Sequence, residues 1–349
     1  MLEFWLIPAV MMLVIVGLFP PIAGYIVLVE RKVLADMQVR LGPMRVGPHG
    51  LLQPLADALK LLLKEDIIPR EADKGIFYVA PIVSMFTAFV AFGVVPFSER
   101  FRIADVNVGL LVISALGSVG ILGIVLGGWS SNSHYPLLGA LRSSAQLVSY
   151  ELAMGLGLVC GVMSAGTLSM VQIVRNQQAQ GLWFVFDNWG AMAPAFVIFF
   201  IAAVAETNRS PFDLPEAESE LIAGYFTEYS AMKLGLFMFS EFIQIAVVGA
   251  LYATLVLVGS NLPFMTDAGF SLPGGPEIAL SQAVRVPLQL VTFLGKVALL
   301  CVIQIQIRWT LPRFRYDQML GLSWKMLLPL SLANLAVTVV WMWLAGGGQ

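Results

Sequence analysis

Residues 106–129 read VNVGLLVISALGSVGILGIVLGGW, a run that contains no Asp, Glu, Lys or Arg. A transmembrane α-helix needs about 20 mainly apolar residues, because each residue advances the helix by only about 1.5 Å. This run is long enough to cross the hydrocarbon core of a bilayer. It predicts that the chain folds in lipid and not in water.

Seven further runs bring the predicted number of transmembrane helices to eight. They cover residues 4–29, 75–98, 147–168, 188–205, 234–258, 286–307 and 326–344. Three of the runs enclose one ionisable residue each, namely Glu151, Glu241 and Lys296. Because no internal repeat or linker divides the chain, we predict an all-α integral membrane protein with a single membrane domain over residues 1–349.

The composition of the whole chain agrees with this prediction. Of its 349 residues, 58% are hydrophobic and 12% are charged, whereas about 25% of the residues in an ordinary soluble domain are charged. A net charge of -2 leaves no basic field that would bind nucleic acid. The two cysteines and two histidines are too few for an iron–sulfur cluster or a structural zinc ion, which usually take four such ligands. We expect no metal site and no redox centre on this chain.

The loop between the first two spans, about residues 30–74, contains a predicted amphipathic helix. Five leucines recur at helical spacing, and three charged residues share the opposite side. The leucines are Leu51, Leu55, Leu59, Leu62 and Leu63, and the charged residues are Asp57, Lys60 and Lys64. A short helix with two such faces is expected to lie in the plane of the membrane interface.

The basic residues predict the orientation of the chain. Fifteen Lys and Arg residues fall in the loops after the odd-numbered spans, against four in the other loops. Cytoplasmic loops carry the excess of Lys and Arg, so both termini are expected outside, which is the periplasm for a bacterial inner membrane. Because no basic segment precedes the first span, we expect that span to be retained and not removed as a signal peptide.

Residues 206–233 form a cytoplasmic loop with an unusual density of acids. The six carboxylates are Glu206, Asp213, Glu216, Glu218, Glu220 and Glu228. Apolar residues such as Phe212 alternate with the acids, which indicates that the loop folds back onto the protein. Carboxylates that crowd together out of water share protons, so the loop is a candidate for proton uptake and release. The alternative is a solvated loop in which Asp213 caps a short helix.

Two further acids, Glu151 and Glu241, fall within predicted spans. A charge in the hydrocarbon costs at least about 2.5 kcal/mol, so such residues usually face the interior of the bundle and carry ions or protons. The alternative is that each lies close enough to an interface to be hydrated. Lys296 either pairs with an acid or extends to the interface, and the sequence leaves both possibilities open.

Basic residues cluster after the first and the seventh span. The first cluster lies in residues 30–45, ERKVLADMQVRLGPMR, and the second comprises Arg308, Arg313 and Arg315. On charge alone, both clusters are typical of segments that anchor a protein to anionic lipid.

Two longer segments resemble the signature segments of one family. Residues 50–65, GLLQPLADALKLLLKE, and residues 211–224, PFDLPEAESELIAG, are similar to segments of the H subunit of bacterial NADH:quinone oxidoreductase, which is respiratory complex I. The mitochondrial counterpart is NADH dehydrogenase subunit 1. Shorter matches run along nearly the whole chain, at residues 30–32, 129–133, 205–209, 227–230 and 312–317.

The resemblance implies an eight-helix subunit at the junction between the redox arm and the proton-pumping membrane arm. In that family the subunit walls most of the tunnel through which quinone reaches the last iron–sulfur cluster. The resemblance implies that Arg31, Arg40, Asp57 and Arg308 line or gate this tunnel. It also implies that the six acids of residues 206–233 form a junction loop for proton coupling, continued into the membrane by Glu151 and Glu241.

The resemblance also implies partners and cofactors. Quinone would be the substrate, while NADH, FMN and the iron–sulfur clusters would be bound by partner subunits. The partners would be the peripheral quinone-site and iron–sulfur subunits, the membrane-arm subunits and phospholipid, in the bacterial inner membrane. Residues 265–283 match no feature of the family.

Two alternative functions remain at this point. One is the homologous membrane subunit of an energy-converting hydrogenase or a related dehydrogenase, which shares the scaffold without necessarily binding quinone. The other is a free-standing secondary transporter, whose acids at the membrane midplane would bind a coupling ion. The absence of a sequence repeat and the acidic cytoplasmic loop count against a transporter.

Overall fold

The computed structural model of the chain describes residues 2–98, 101–180, 184–185, 192–213, 223–262, 265–266, 269–271, 277–279 and 281–346. Within these ranges the chain forms eleven α-helices. They are α1 (Leu2–Met37), α2 (Gln53–Leu63), α3 (Lys74–Val94), α4 (Gly109–Ser130), α5 (His134–Ala165), α6 (Met170–Gln180), α7 (Met192–Glu206), α8 (Ala231–Val256), α9 (Gln282–Thr310), α10 (Tyr316–Gly321) and α11 (Leu328–Gly346).

Among the described residues, six helical segments are long and apolar enough to cross a membrane. They are α3, α4, α5, α8, α9 and the segment Tyr316–Leu344, which runs through α10 and α11, and α7 is a shorter apolar helix. Helix α1 is 36 residues long and contains the first predicted span. The prediction of a helical membrane protein is therefore confirmed, while the number of eight spans stays a prediction.

Helix α5 begins well before the predicted span at residue 147. Its first residues include polar side chains that hydropathy excludes from a span, and two of them, Ser143 and Gln146, are buried against the end of α7 and the chain that follows it. The Gln146 amide donates to the carbonyl oxygens of Ala205 at 2.8 Å and Phe212 at 2.7 Å. The longer helix places Glu151 near the middle of α5 and not near its start.

The amphipathic helix of the 30–74 loop is present as α2. The five leucines that define its apolar face are all exposed on the chain, with Leu63 the most exposed at 85%. A helix with an apolar face this open requires lipid or a partner to cover it. Its position in the membrane interface stays a prediction.

Neighbouring helices pack closely at positions where glycine leaves no side chain between them. On α4, a Cβ atom at Gly123 would lie 2.9 Å from the Ser84 nitrogen and 3.0 Å from the Ala80 oxygen of α3. On α5, a Cβ atom at Gly157 would lie 3.0 Å from the Ala195 oxygen of α7. Glycine at these two positions therefore allows neighbouring helices to approach closely.

Helix α8 is the most enclosed of the long helices, with 72% of its most apolar part buried. It packs against α1, α2, α3, α6, α7 and α9. Residues that α8 presents on different faces therefore reach different cavities of the bundle.

Two features depart from simple membrane helices. Between α8 and α9, three short antiparallel strands pair as β1 (Met265–Thr266), β2 (Gly269–Ser271) and β3 (Glu277–Ala279), with Phe270 opposite both Met265 and Ile278. The expected long loop at residues 265–283 thus contains a small sheet. The last helix passes through a π-helical segment, Leu322–Leu327, before α11.

Candidate functional site

A cavity of about 270 Å³ opens between α1, α2 and α8, and we call it the α1–α8 cavity. Its walls are largely apolar, and its ionisable lining comprises three arginines and three carboxylic acids. The ionisable residues are Glu30, Arg31, Asp57, Arg209, Glu241 and Arg308, and the apolar residues include Val27, Leu61, Met238, Phe239 and Phe242.

The close approach of α1 to α2 forms one wall of this cavity. A Cβ atom at Gly24 of α1 would lie 2.9 Å from the Pro54 Cβ atom of α2. Helix α1 continues beyond its apolar run to Met37, which brings Glu30 and Arg31 to the cavity on a rigid element. The charged segment after the first span is therefore helical, and two of its side chains face inward.

Glu30 joins three segments that are distant in sequence. Its Oε2 atom accepts a hydrogen bond from Arg209 Nη1 at 2.6 Å, and its Oε1 atom accepts one from Arg308 Nη1. Glu30 is 6% exposed and Arg209 is 7% exposed. The Arg209 guanidinium also lies 3.9 Å from the centre of the Phe242 ring. One buried carboxylate thus holds two arginines at the cavity wall.

A second ion pair lies at the more open side of the cavity. Arg31 Nη1 lies 2.7 Å from Asp57 Oδ2, and the Gln53 amide donates to Asp57 Oδ1 at 3.0 Å. The side chain of Arg31 is 46% exposed, so solvent screens this pair far more than the pairs of Glu30.

Glu241 is the third carboxyl group of the cavity. It is 5% exposed, and its Oε1 atom accepts a hydrogen bond from the Tyr225 hydroxyl at 2.9 Å. On the preceding residue of α8, the Ser240 hydroxyl lies 2.9 Å from that of Ser84 on α3. Glu241 therefore stands at the boundary between the cavity and the polar interior of the bundle.

A smaller cavity of about 40 Å³ lies between α3, α4, α5, α7 and α8, and it contains the Glu206 carboxyl group. We call it the Glu206 cavity. Space for this carboxyl group comes from Gly117, where a Cβ atom would lie 2.9 Å from Glu206 Oε1. The neighbouring Ser118 donates a hydrogen bond to Glu151 Oε1. Two predicted proton-coupling acids thus meet at one turn of α4.

The first part of the acidic loop folds back, as its apolar residues predicted. Phe212 and Asp213 are both buried. Asp213 Oδ2 lies 2.9 Å from Arg313 Nη2, and the Phe314 nitrogen donates to the Pro211 oxygen at 3.1 Å. The segment between α9 and α10 is therefore fastened to the loop that follows α7.

The last part of the acidic loop is also packed against the bundle. The ring of Tyr229 stacks on that of Phe77 at 4.0 Å between ring centres. Burial raises the pKa of the Tyr229 hydroxyl to about 12, so this group stays neutral at physiological pH. Lys233 Nζ lies 2.8 Å from Asp66 Oδ1, which links the start of α8 to the chain after α2.

The remaining predicted site residues have different positions. Glu228 is half-buried and lines neither cavity, and Arg40 is exposed outside both cavities. Glu216, Glu218 and Glu220 lie outside the described residues, as does the helix that Asp213 was expected to cap.

Two residues of the α1–α8 cavity, Glu30 and Arg209, are not among the site residues predicted from the sequence, and neither is Tyr225, which donates a hydrogen bond to Glu241. The sequence places Glu30 in a cluster typical of lipid anchors, and it predicts no role for Arg209 or Tyr225. The sequence feature that could have indicated Arg209 is its position among many acids, because an arginine there requires a specific acidic partner if it is buried. That partner, Glu30, is remote in sequence.

Among the residues that the structure describes, Lys296 contacts backbone carbonyls and no acid. Its ammonium group donates to the carbonyl oxygens of Leu257 at 2.6 Å, Gly259 at 2.9 Å and Asn261 at 2.6 Å. These carbonyls follow the end of α8, where backbone acceptors lack helical donors. Lys296 of α9 therefore caps α8.

Comparison with known proteins identifies relatives along the whole chain. The family model described as NADH dehydrogenase matches residues 9–339. The chain is 51% identical to an H subunit of NADH-quinone oxidoreductase from Solibacter usitatus, over 95% of both chains. It is 45% identical to an H subunit from Geobacter sulfurreducens, over 90% of this chain and 89% of that one. It is also 45% identical to the H subunit from Thermomicrobium roseum, over 96% and 94%.

Proposed function

Because the chain belongs to the NADH dehydrogenase family, as a membrane subunit of NADH-quinone oxidoreductase, we propose that the α1–α8 cavity binds quinone during its reduction. The names of the relatives favour this function over the hydrogenase subunit and the secondary transporter. The chain forms part of the quinone tunnel, and its carboxyl groups couple quinone reduction to proton translocation.

The observation that carries the proposal is the mixed character of the cavity lining. Quinone has a polar headgroup on an apolar tail, and the cavity offers apolar side chains together with Arg31 and Arg308 as hydrogen-bond donors. Sites for small molecules are typically apolar with a few placed polar groups that fix the orientation of the ligand. A headgroup contacts the arginines while the tail lies along the walls.

The charges of the lining provide a reason for coupling. Three arginines face three carboxyl groups, so the lining is neutral when all three acids are ionised and carries one positive charge when Glu241 holds a proton. Reduction of quinone adds two electrons, which come from a partner subunit, and two protons. A proton on Glu241 stabilises the negative charge on the reduced quinone. Transfer of that proton neutralises the quinone oxygen and leaves Glu241 as a carboxylate, so the cavity lining becomes neutral again.

Protons are exchanged with the membrane arm through the acids of the bundle. Glu206 and Glu151 meet at α4, and the Glu206 cavity borders the same helix, α8, that carries Glu241. The junction acids Asp213, Glu216, Glu218, Glu220 and Glu228 complete the coupling region by their resemblance to the family. NADH, FMN and the iron–sulfur clusters are bound by partner subunits, and both termini lie in the periplasm.

Substitution of the cavity arginines tests the quinone site. Arg308→Met and Arg31→Met keep the bulk of the side chain but remove its charge and its donors. We expect both variants to raise the KM for quinone in assembled complex, with little change in NADH oxidation by an artificial acceptor. Arg45→Met is the matched control, because Arg45 is exposed and outside the cavity. Equal quinone KM values in all three variants would contradict the proposal.

A further inference from the structure

The Glu206 cavity has a polar lining that the acids alone do not explain. Besides Glu206, it presents the side chains of Thr87, Ser114, Thr207 and Gln244. A water molecule needs roughly 10–15 Å³ and two to four polar partners, so a cavity of about 40 Å³ has room for about two to four waters.

The hydroxyl groups of this lining can only accept hydrogen bonds from molecules in the cavity. Thr87 donates to the Ser84 oxygen at 2.9 Å, Ser114 to the Leu110 oxygen at 3.1 Å and Thr207 to the Val204 oxygen at 2.8 Å. A hydroxyl has only one proton to donate. Each of these three groups therefore has only lone pairs left for the cavity.

The Gln244 side chain supplies the donors that the hydroxyls lack. Its amide makes no hydrogen bond to any described residue, and its NH2 group carries two protons. A Cβ atom at Gly120 would lie 3.1 Å from Thr87 Oγ1 and 3.8 Å from Gln244 Nε2. The absence of a side chain at Gly120 thus leaves one space that both groups border.

The same two helices connect this space to the α1–α8 cavity. Thr87 follows Ser84 by about one turn of α3, and Gln244 follows Ser240 by about one turn of α8, while Ser84 and Ser240 are hydrogen-bonded. Glu241, next to Ser240, faces the α1–α8 cavity. Two pairs of polar side chains, Ser84 with Ser240 and Thr87 with Gln244, therefore lie between Glu241 and Glu206.

We propose that Gln244 and Thr87 are positioning residues that hold water beside the Glu206 carboxyl group. The inference rests on the proposed function and adds the route between two of its acids. The amide donates to the water oxygen, the Thr87 hydroxyl accepts from the water, and the remaining water proton points to Glu206. A proton that arrives from the Glu241 side forms a new O–H bond on this water as another O–H bond breaks toward Glu206, and no electrons are transferred.

The direct test is a cryo-electron microscopy map of the assembled complex at a resolution that shows ordered water. We expect density for water within hydrogen-bond distance of both the Gln244 amide and the Glu206 carboxyl group. A cavity without such density, or one filled by a side chain, overturns the inference.

A kinetic test uses variants that replace polar side chains of the cavity lining by apolar side chains of similar size. Thr87→Val and Gln244→Leu should slow quinone-linked proton pumping by roughly tenfold. Each variant removes one hydrogen bond to the water, and the loss of one hydrogen bond raises the activation barrier for proton transfer by about the energy that slows a reaction tenfold. They should also increase the solvent deuterium isotope effect on quinone reduction, because proton transfer becomes limiting. Thr87→Ser, which keeps the hydroxyl, should restore both values.

The matched control for Thr87→Val is Thr254→Val on α8. The Thr254 hydroxyl is also buried and donates to a backbone oxygen, that of Ala250 at 2.6 Å, but it lines neither cavity. We expect wild-type pumping and isotope effect in this variant. A general cost of losing a buried hydroxyl would affect both threonine variants equally and would overturn the positioning role.

Glu206→Gln separates failure of this inference from failure of the proposed function. If this variant loses pumping while Thr87→Val and Gln244→Leu keep wild-type values, the coupling acid stands and the positioning role is wrong. If Glu206→Gln itself pumps normally in assembled complex, the proposed role of the acid fails, and the inference fails with it.

Discussion

Glu30 shows how a single buried residue determines the geometry of the site. Its carboxylate is shared by Arg209 and Arg308, and all three side chains are largely withdrawn from solvent. Removing one partner from a buried ion pair typically costs about 3–5 kcal/mol, because the remaining charge stays buried without compensation. An exposed pair such as Arg31 with Asp57 contributes at most about 1 kcal/mol.

We therefore predict that Glu30→Gln destabilises the protein by about 3–5 kcal/mol, whereas Asp57→Asn costs at most about 1 kcal/mol. The measurement is the amount of assembled complex in membranes, by blue native electrophoresis. Asp57→Asn should assemble normally and change only quinone kinetics. If Glu30→Gln assembled as well as Asp57→Asn, the two arginines would have to be compensated by other groups.

A second prediction at this scale concerns the Tyr225 hydroxyl and Glu241. Glu241→Gln keeps the size of the side chain but cannot exchange a proton, so quinone reduction and pumping should both be lost. Tyr225→Phe removes only the 2.9 Å hydrogen bond and should reduce quinone turnover by roughly tenfold. Tyr135→Phe at an exposed position of α5 is the control. Rates are compared at equal amounts of complex, and full activity in Glu241→Gln would exclude the acid from proton transfer.

At the scale of elements, the packing of α3 on α4 depends on glycine. The Cβ atom added by Gly123→Ala would meet backbone atoms of Ser84 and Ala80, which cannot rotate away as a side chain can. We predict destabilisation by about 1–3 kcal/mol. Gly155→Ala on α5 is the matched control, because no atom lies within 4 Å of the added group. Thermal inactivation of quinone reductase in membranes measures the difference, and equal stability of the two variants would show that α3 and α4 can move apart freely.

The cap on α8 gives the second prediction for an element. Lys296→Met keeps a long apolar stem but leaves the carbonyls of Leu257, Gly259 and Asn261 without their donor. Each unsatisfied buried acceptor typically costs about 1–3 kcal/mol, so we expect assembly to fail. Lys296→Arg, which retains a cation, should recover part of the assembled complex. Normal assembly of Lys296→Met would mean that water satisfies these carbonyls.

The elements that the sequence predicts well are those that the bilayer constrains. A long run such as residues 106–129 has to be a helix, because lipid offers no partner for backbone groups. Helix α6, the first half of α5 and the small sheet were missed, because their polar residues are accommodated by contacts with distant segments. Hydropathy along the chain contains no information on such contacts.

Less of the site than of the fold could be predicted, for the same reason. Asp57, Glu241, Arg31 and Arg308 were identified by resemblance, but the cavity that gathers them is formed by α1, α2 and α8 together with the chain after α7 and the end of α9. The partner of Arg209 is 179 residues away. A linear pattern indicates which residues are unusual and not which of them meet.

At the scale of the whole molecule, the exposed apolar surface agrees with a membrane protein that assembles with others. Large apolar side chains are exposed on α2, α9 and α11, including Leu63, Val291 and Trp343. Contiguous apolar surface of this extent has to be covered by lipid or by partner subunits. The excess of basic residues in alternate loops predicts the orientation of the chain in the bilayer.

Cysteine labelling tests this orientation with little background, because Cys160 and Cys301 are both buried. Asn107, between α3 and α4, and Val39, between α1 and α2, are exposed and belong to loops of opposite predicted sides. The asymmetry of fifteen basic residues against four predicts that Val39 lies in the cytoplasm. A membrane-impermeant maleimide should therefore label Asn107→Cys in right-side-out vesicles and Val39→Cys in inverted vesicles. Successive loops of a multi-span protein alternate between the two sides of the membrane, so the side of one loop determines the sides of all the others. Labelling of Val39→Cys from the periplasmic side would therefore show that the predicted orientation is wrong for every loop. The acidic loop would then lie on the side opposite to the redox partners.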